Sequence, residues 1–342
     1  MSAHERRINA ALQRREREDG KLELTCLPLE IQLEATNRCR QACPTCARNF
    51  YDREANAPGE MSAKVCGEIA KLFPFAESVL VGGYGEPLLA EITYNILQRA
   101  NKAGCRTAII TGGGDLDLLR ADKLTRAKLS EIIVSIDGAS DETNLARRGV
   151  TLSRLLDNLA ALRMRLPELV LIFNVTLQVD NLDELPGIVD LAVRQEAAAV
   201  RVFHQKIYSR TQTGSSVFHV AQHAEQIFAQ CREKALSADV ELDLPPLSGS
   251  RPCQQPYRLL AVRHDGTVHG CCSALFESQL PGLVLGKLPQ DDPYELWNAP
   301  AMQTARQWSL GDGPADSVCA DCAFRVFSAE SHTRILDGEC DD

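Results

Sequence analysis

Short apolar runs alternate with longer amphipathic stretches along the first two thirds of the chain: Leu29 to Leu33, Met61 to Phe73, Ser78 to Val81, then Leu88 to Ala103. The short runs fit buried strands, and the longer ones repeat apolar positions at the helical period. The pattern continues with a strand at Arg106 to Ile110, a helix near Leu116 to Arg126, a strand at Ile132 to Ile136, and a helix at Leu152 to Leu166 capped by Thr151. A strand at Leu169 to Leu177, a helix from about Leu182 to Gln195 and a strand from Ala199 to Ile207 complete the series. Six strands joined by helical crossovers predict an α/β fold with a parallel sheet, either a curved open barrel or a doubly wound sheet.

After Ile207 the rhythm breaks into the polar stretch Ser209 to Ser216, followed by one helix from about Val220 to Ser237. The segment Leu244 to Pro256 is rich in Pro, Ser and Gly, and beyond it cysteines outnumber regular elements, as in a small domain held by metal. The expected division is a helical N-terminal extension at 1–28, a barrel at 29–240 and a cysteine-bearing domain at 241–342.

No apolar run approaches the roughly 18 residues that would span a bilayer. Lys and Arg number 37 against 46 Asp and Glu, a net charge of −9 that repels phosphate backbones and anionic lipid. Nucleic acid and membrane are therefore not expected partners. The stretch Met1 to Glu18 is crowded with charge and has no secretory apolar core, which predicts a reducing, cytoplasmic compartment. Thirteen cysteines in such a compartment point to metal or catalysis rather than to disulfides.

Their spacing is selective. Cys39, Cys43 and Cys46 form C-x3-C-x2-C in the loop after the first strand. Three thiolates can hold three irons of a 4Fe-4S cluster and leave one iron open to a ligand. A zinc site would want a fourth ligand, and the nearest histidine, His4, lies far outside the loop. The run Glu34-Ala35-Thr36-Asn37-Arg38-Cys39 through Arg48 resembles the radical S-adenosylmethionine (SAM) enzymes. That resemblance implies a partial (βα)6 TIM-type barrel and an open iron that chelates SAM, whose reductive cleavage yields a 5′-deoxyadenosyl radical. Thr45 departs from the aromatic residue that often precedes the third cysteine in the family.

Gly82-Gly83-Tyr84-Gly85-Glu86-Pro87 closes the second strand, where glycines allow close backbone approach and Glu86 can accept a bond from an ammonium. The plain alternative is a strand-to-helix turn. The resemblance implies a methionine-binding motif here, with Gly83, Gly85 and Glu86 as cofactor contacts. It likewise implies cofactor contacts at Ser135 and Asp137, which end the fourth strand, and at Arg148; otherwise these are a capped loop and a solvated charge. Thr111 to Gly114 stands where relatives carry Thr-Asn-Gly and reads as a turn beside the cofactor.

A second constellation runs from Cys253 through Gly266 to Cys271, then Cys319-x2-Cys322. It resembles the auxiliary-cluster domains called SPASM and twitch, and its spacing is most similar to the 2-deoxy-scyllo-inosamine dehydrogenase type. Ser328 occupies the place of the next SPASM cysteine, so one auxiliary 4Fe-4S cluster is expected on these four cysteines, with a structural zinc knuckle as the alternative. Cys272 and Cys340 are left over. A free thiol can return a hydrogen atom to a substrate radical, which would suit Cys272, although unreactive packing is the commoner fate of such a residue. His204 ends the sixth strand, where parallel sheets bind ligands, and is either a base or a structural histidine.

Together these features predict a radical SAM oxidoreductase or epimerase with two 4Fe-4S clusters, SAM and an external reductant of the flavodoxin or ferredoxin type. Only about 28 residues precede the barrel, where peptide-modifying relatives often carry a recognition domain. The expected substrate is accordingly a small polar molecule, an aminocyclitol or sugar, altered at a carbinol carbon. A peptide maturase is the alternative, and a non-catalytic electron carrier a more distant one.

Overall fold

The computed structural model describes residues 3–50, 57–272, 283–314, 317–333 and 335. All six expected strands are present: β1 (Glu30–Leu33), β2 (Ser78–Val81), β3 (Arg106–Thr111), β4 (Glu131–Ser135), β5 (Val170–Leu177) and β6 (Ala199–His204). They pair in chain order and every pairing is parallel. The helices before residue 240 are α1 (Ala3–Glu18), α2 (Ala63–Ile69), α3 (Glu91–Ala103), α4 (Leu118–Arg126), α5 (Asp141–Arg148), α6 (Leu152–Arg163), α7 (Leu185–Arg194) and α8 (Ala221–Ala238). Side chains of Ser62, Asp117 and Thr151 accept from the first-turn amides of α2, α4 and α6. Each such cap satisfies a donor that the helix itself cannot.

Alternation along the strands separates two faces. Ile31, Leu33, Val79, Val81, Ile132, Val134, Phe173 and Val202 join the helices in the main core, whereas Ile133, Ile172 and Ala199 form a smaller cluster with Leu80 and Ile110 on the opposite face. The second face is the one an open barrel encloses.

The sheet continues past residue 240. β7 (Glu241–Asp243) adds to β6, while β9 (Leu259–Val262) adds in parallel to β1 and is followed by antiparallel β10 (Thr267–His269) and β11 (Val284–Lys287). A two-residue pair, β8 (Gly249–Ser250) with β12 (Val326–Phe327), lies apart. The expected division at 240 thus falls within one ten-stranded sheet. The physical reason is Leu259–Val262, buried at every position and so suited to a strand covered on both faces. A further difference is α5, expected as a loop. It has no apolar stripe and is set by its ends, with Ser140 capping the start and Gly149 closing it at φ 70°.

Helix α1 docks across the N-terminal ends of β1 to β3, opposite the loops that carry the cysteines. Asn9 donates to the carbonyls of Leu27 (3.0 Å) and Phe75 (3.1 Å), and Arg6 to those of Ala103 (2.6 Å) and Gly104 (2.7 Å). Among the described residues no helix is long and apolar enough to cross a membrane.

Arg306 ties the chain's beginning to its end. Fully buried on the helix Pro300–Leu310, it donates to the carbonyls of Leu22 (2.6 Å), Pro256 (3.1 Å) and Trp297 (2.7 Å) and to the Asn298 side chain (2.9 Å), with its guanidinium over the Trp297 ring. Arg306→Met orphans these buried carbonyls and is expected to cost about 3 kcal/mol. Urea unfolding checks this; a loss below about 1 kcal/mol would contradict the role.

Candidate active site

Residues 34 to 46 leave the C-terminal end of β1 and cross the ends of β2 and β3. Their path is fixed by glycines that have no room for a side chain. A Cβ on Gly85 would lie 2.1 Å from the Thr36 carbonyl oxygen, and one on Gly83 would lie 2.6 Å from a Glu34 carboxylate oxygen. Both glycines therefore let the β2 turn meet the base of the cysteine loop, a structural reason beyond the ligand approach expected of them.

Glu86 stands at the centre. Its amide donates to the Arg38 carbonyl (2.8 Å), next to Cys39, and its carboxylate accepts from Thr111 Oγ1 (2.8 Å), the Gly112 amide (3.0 Å) and the Leu88 amide (3.1 Å). Burial pushes its pKa up to about 7, against the lowering effect of those three donors.

On the other flank, Asp137 and Arg148 form an ion pair at 2.8 Å. Asp137 also accepts from the Thr176 amide (2.7 Å), and the Arg148 carbonyl accepts from Cys43 Sγ at 3.7 Å. The cysteine loop is thus held between Glu86 and the Asp137–Arg148 pair. Ser135 lies buried at the end of β4, on the same side.

The loop fits an iron–sulfur cluster electrostatically. Burial pushes Cys39 up to about 11 and raises Cys46, while Arg48 and Arg148 beside the loop oppose the shift in Cys46. Metal cations complete the compensation that turns buried thiols into thiolates. Among the described residues no three His, Cys, Asp or Glu side chains are grouped so as to hold a metal ion.

Cys253, Cys271, Cys319 and Cys322 line one cavity of about 430 Å³. Burial pushes Cys253 up to about 11 and Cys319 up to about 12, with neighbouring cysteines of the set adding to both shifts. Four thiols lining one cavity fit the ligand count of a closed cluster. Cys272 turns to the other side of the chain, packs against Leu259 and Ala261, and has its pKa lowered by a hydrogen bond from Cys271. Cys340 lies outside the described residues.

His204 does not join the site. Its register partner Leu177 belongs to the main core, so the imidazole faces away from the interior. There it meets Phe218, Phe327 and His332, and its Nε2 lies 2.8 Å from the Pro246 carbonyl oxygen. The next residue, Gln205, faces inward and donates to the Thr45 carbonyl (3.3 Å), and Lys206 lines the cavity of the second cysteine set.

A buried network was not legible in the sequence. Glu34, wholly buried, accepts from the Tyr84 amide (2.8 Å), lies 2.6 Å from His264 Nδ1 and 3.7 Å from Arg263 Nε. Arg263 and His264 follow β9, so only the pairing of β9 with β1 brings them to Glu34.

A model of the radical SAM superfamily matches residues 33–192, and a model of an iron-sulfur cluster-binding domain, SPASM, matches residues 253–323. The chain carries a radical SAM domain and a SPASM domain. Its cofactors are a catalytic 4Fe-4S cluster, SAM and an auxiliary cluster in the SPASM region. This radical SAM enzyme is 27% identical over 312 residues to the PqqA peptide cyclase of Methylobacterium sp. (strain 4-46), covering 87% of this chain and 79% of that protein. Its fold is similar to Streptococcus suis SuiB bound to the precursor peptide SuiA, with TM-score 0.64 and 14% identity over 87% of this chain and 70% of SuiB. It is also similar to BtrN in complex with AdoMet and 2-DOIA, with TM-score 0.51 and 17% identity over 86% of this chain and 93% of BtrN.

The expectation of a small polar substrate is overturned by the first of these relatives, a peptide cyclase aligned over most of the radical SAM chain. The small-molecule partner falls with it. That expectation leaned on the residues before the barrel, and α1 is spent on closing the bottom of the sheet, so its length carries no information about the substrate.

Glu86 supplies a test of the site's electrostatics. With a pKa near 7 when folded and near 4.5 when unfolded, the folded state holds the extra proton between those values, so this contribution to stability falls as pH rises through the window. The loss from pH 5 to 7.5 is expected to be larger in wild type than in Glu86→Gln by an amount on the order of 3 kcal/mol. Parallel pH dependence in the two proteins would show that Glu86 is not desolvated.

Proposed function

We propose that this enzyme modifies a peptide, oxidising it at a C–H bond. The observation that carries this reading is the span between the two cysteine sets: Gln205 reaches Thr45 in the first loop, and Lys206, next in the chain, lines the cavity of the second. A substrate held there lies within reach of both. SAM and a reduced cluster held there would supply the means to remove a hydrogen atom from the substrate.

The chain's own residues do the rest. Cys39, Cys43 and Cys46 hold the open cluster, Glu86 takes the cofactor's ammonium, and the Asp137–Arg148 pair fixes the loop and bounds the cofactor. Cys253, Cys271, Cys319 and Cys322 would hold a second cluster, able to accept the electron the substrate must lose. The substrate gives its proton to solvent or to a nearby base, so the product is lighter by two hydrogen atoms. The peptide assignment draws on the PqqA peptide cyclase relative and on SuiB, which was crystallised with a precursor peptide. An epimerisation would instead need a thiol to return a hydrogen atom, and Cys272, next to a ligand of the second set, packs against Leu259 and Ala261.

The test is anaerobic turnover with SAM, dithionite and either a peptide encoded beside the gene or the PqqA peptide, followed by mass spectrometry. Wild type is expected to form 5′-deoxyadenosine and a peptide lighter by two hydrogens. Cys319→Ser/Cys322→Ser is expected to keep the first product and lose the second. Turnover of an aminocyclitol with no change in any peptide would contradict the reading.

A further inference from the structure

Gln41 lies between the first and second cysteines of the catalytic loop. Its carboxamide fills a notch made by glycines of the β3 turn. Were Gly112 to carry a Cβ, that atom would lie 2.0 Å from Gln41 Oε1; a Cβ on Gly114 would lie 2.7 Å from Gln41 Nε2. Both contacts are far inside van der Waals distance, so the two glycines and the carboxamide are matched. Gly149, just after Arg148, faces the same residue from the third side, its Cβ position 4.0 Å from Gln41 Cβ.

Gln41 therefore stands where three parts of the site meet: the loop of Cys39 and Cys43, the Thr111–Gly112 turn that binds Glu86, and the Arg148–Gly149 corner. Its Nε2 is shielded from solvent and has no hydrogen-bond partner. A buried amide nitrogen left so is unfavourable, and a bound acceptor removes that cost. The turn has no side-chain amide of its own, since positions 112 to 114 are all glycine.

We infer that Gln41 is a SAM contact, donating from Nε2 to the methionine carboxylate of the cofactor while Glu86 accepts from its ammonium. The zwitterionic end of the cofactor then meets an acceptor and a donor from two different loops. Both are set by the same turn, because Gly112 donates its amide to Glu86 and yields its side-chain space to Gln41. The inference rests on the assignment of Glu86 and the three cysteines to the cofactor site.

Equilibrium dialysis of reconstituted, unreduced protein with labelled SAM, alongside iron analysis and the cluster's absorption spectrum, separates the outcomes. Gln41→Leu is expected to keep its iron and spectrum and to bind SAM roughly tenfold more weakly, one lost hydrogen bond to a charged group. Gly112→Ala, which displaces the carboxamide without touching residue 41, is expected to match it. SAM binding within twofold of wild type in Gln41→Leu would overturn the contact, and so would loss of iron, which would make the residue a support for the loop. If Glu86→Gln binds SAM normally while retaining its iron, the underlying site assignment fails, and this inference fails with it.

Discussion

The contact between the base of the cysteine loop and the β2 turn is the constraint on which the site depends. With the Thr36 carbonyl 2.1 Å from where a Gly85 Cβ would be, only glycine permits the approach. The approach then lets the Glu86 amide bond the Arg38 carbonyl, which ties the backbone entering Cys39 to the Glu86 turn. Thr111 and Gly112 extend that unit to β3, and the Asp137–Arg148 pair closes it from β4 and α5. Four consecutive strands thus position one loop, which is how a parallel sheet makes a precise site from irregular segments.

Electrostatics reinforce this geometry. Buried thiols and the Glu86 carboxylate are each driven toward their neutral forms by desolvation. Arg48 and Arg148 offset part of that cost at Cys46, and bound cations would offset more of it. In this account the site is assembled in advance and completed by its cofactors. The second cysteine set follows the same rule around its own cavity.

The legible features were local ones. Strands β1 to β6 and the cysteine spacing follow from neighbouring residues, and the glycines around Glu86 marked the turn that matters. Non-local pairing was not legible: β9 joins β1 from more than 200 positions away, and with it come Arg263 and His264. Side-chain parity on β6 was also hidden, because Val200 to His204 has no clean polar alternation, and the residue that reaches the loop is Gln205 rather than His204. Helix α5 escaped detection because its ends, not an apolar face, define it. The substrate class was misread because it was argued from chain length, which is not a physical property of the site.

The central claim is that three cysteines hold a cluster with one iron open to SAM while four others hold a closed cluster. Mössbauer spectroscopy of protein reconstituted with iron-57, before and after adding SAM, tests it most directly. About eight irons per chain are expected, one of which changes its spectrum when SAM binds. About four irons in total, or a spectrum that SAM leaves unchanged, would contradict it.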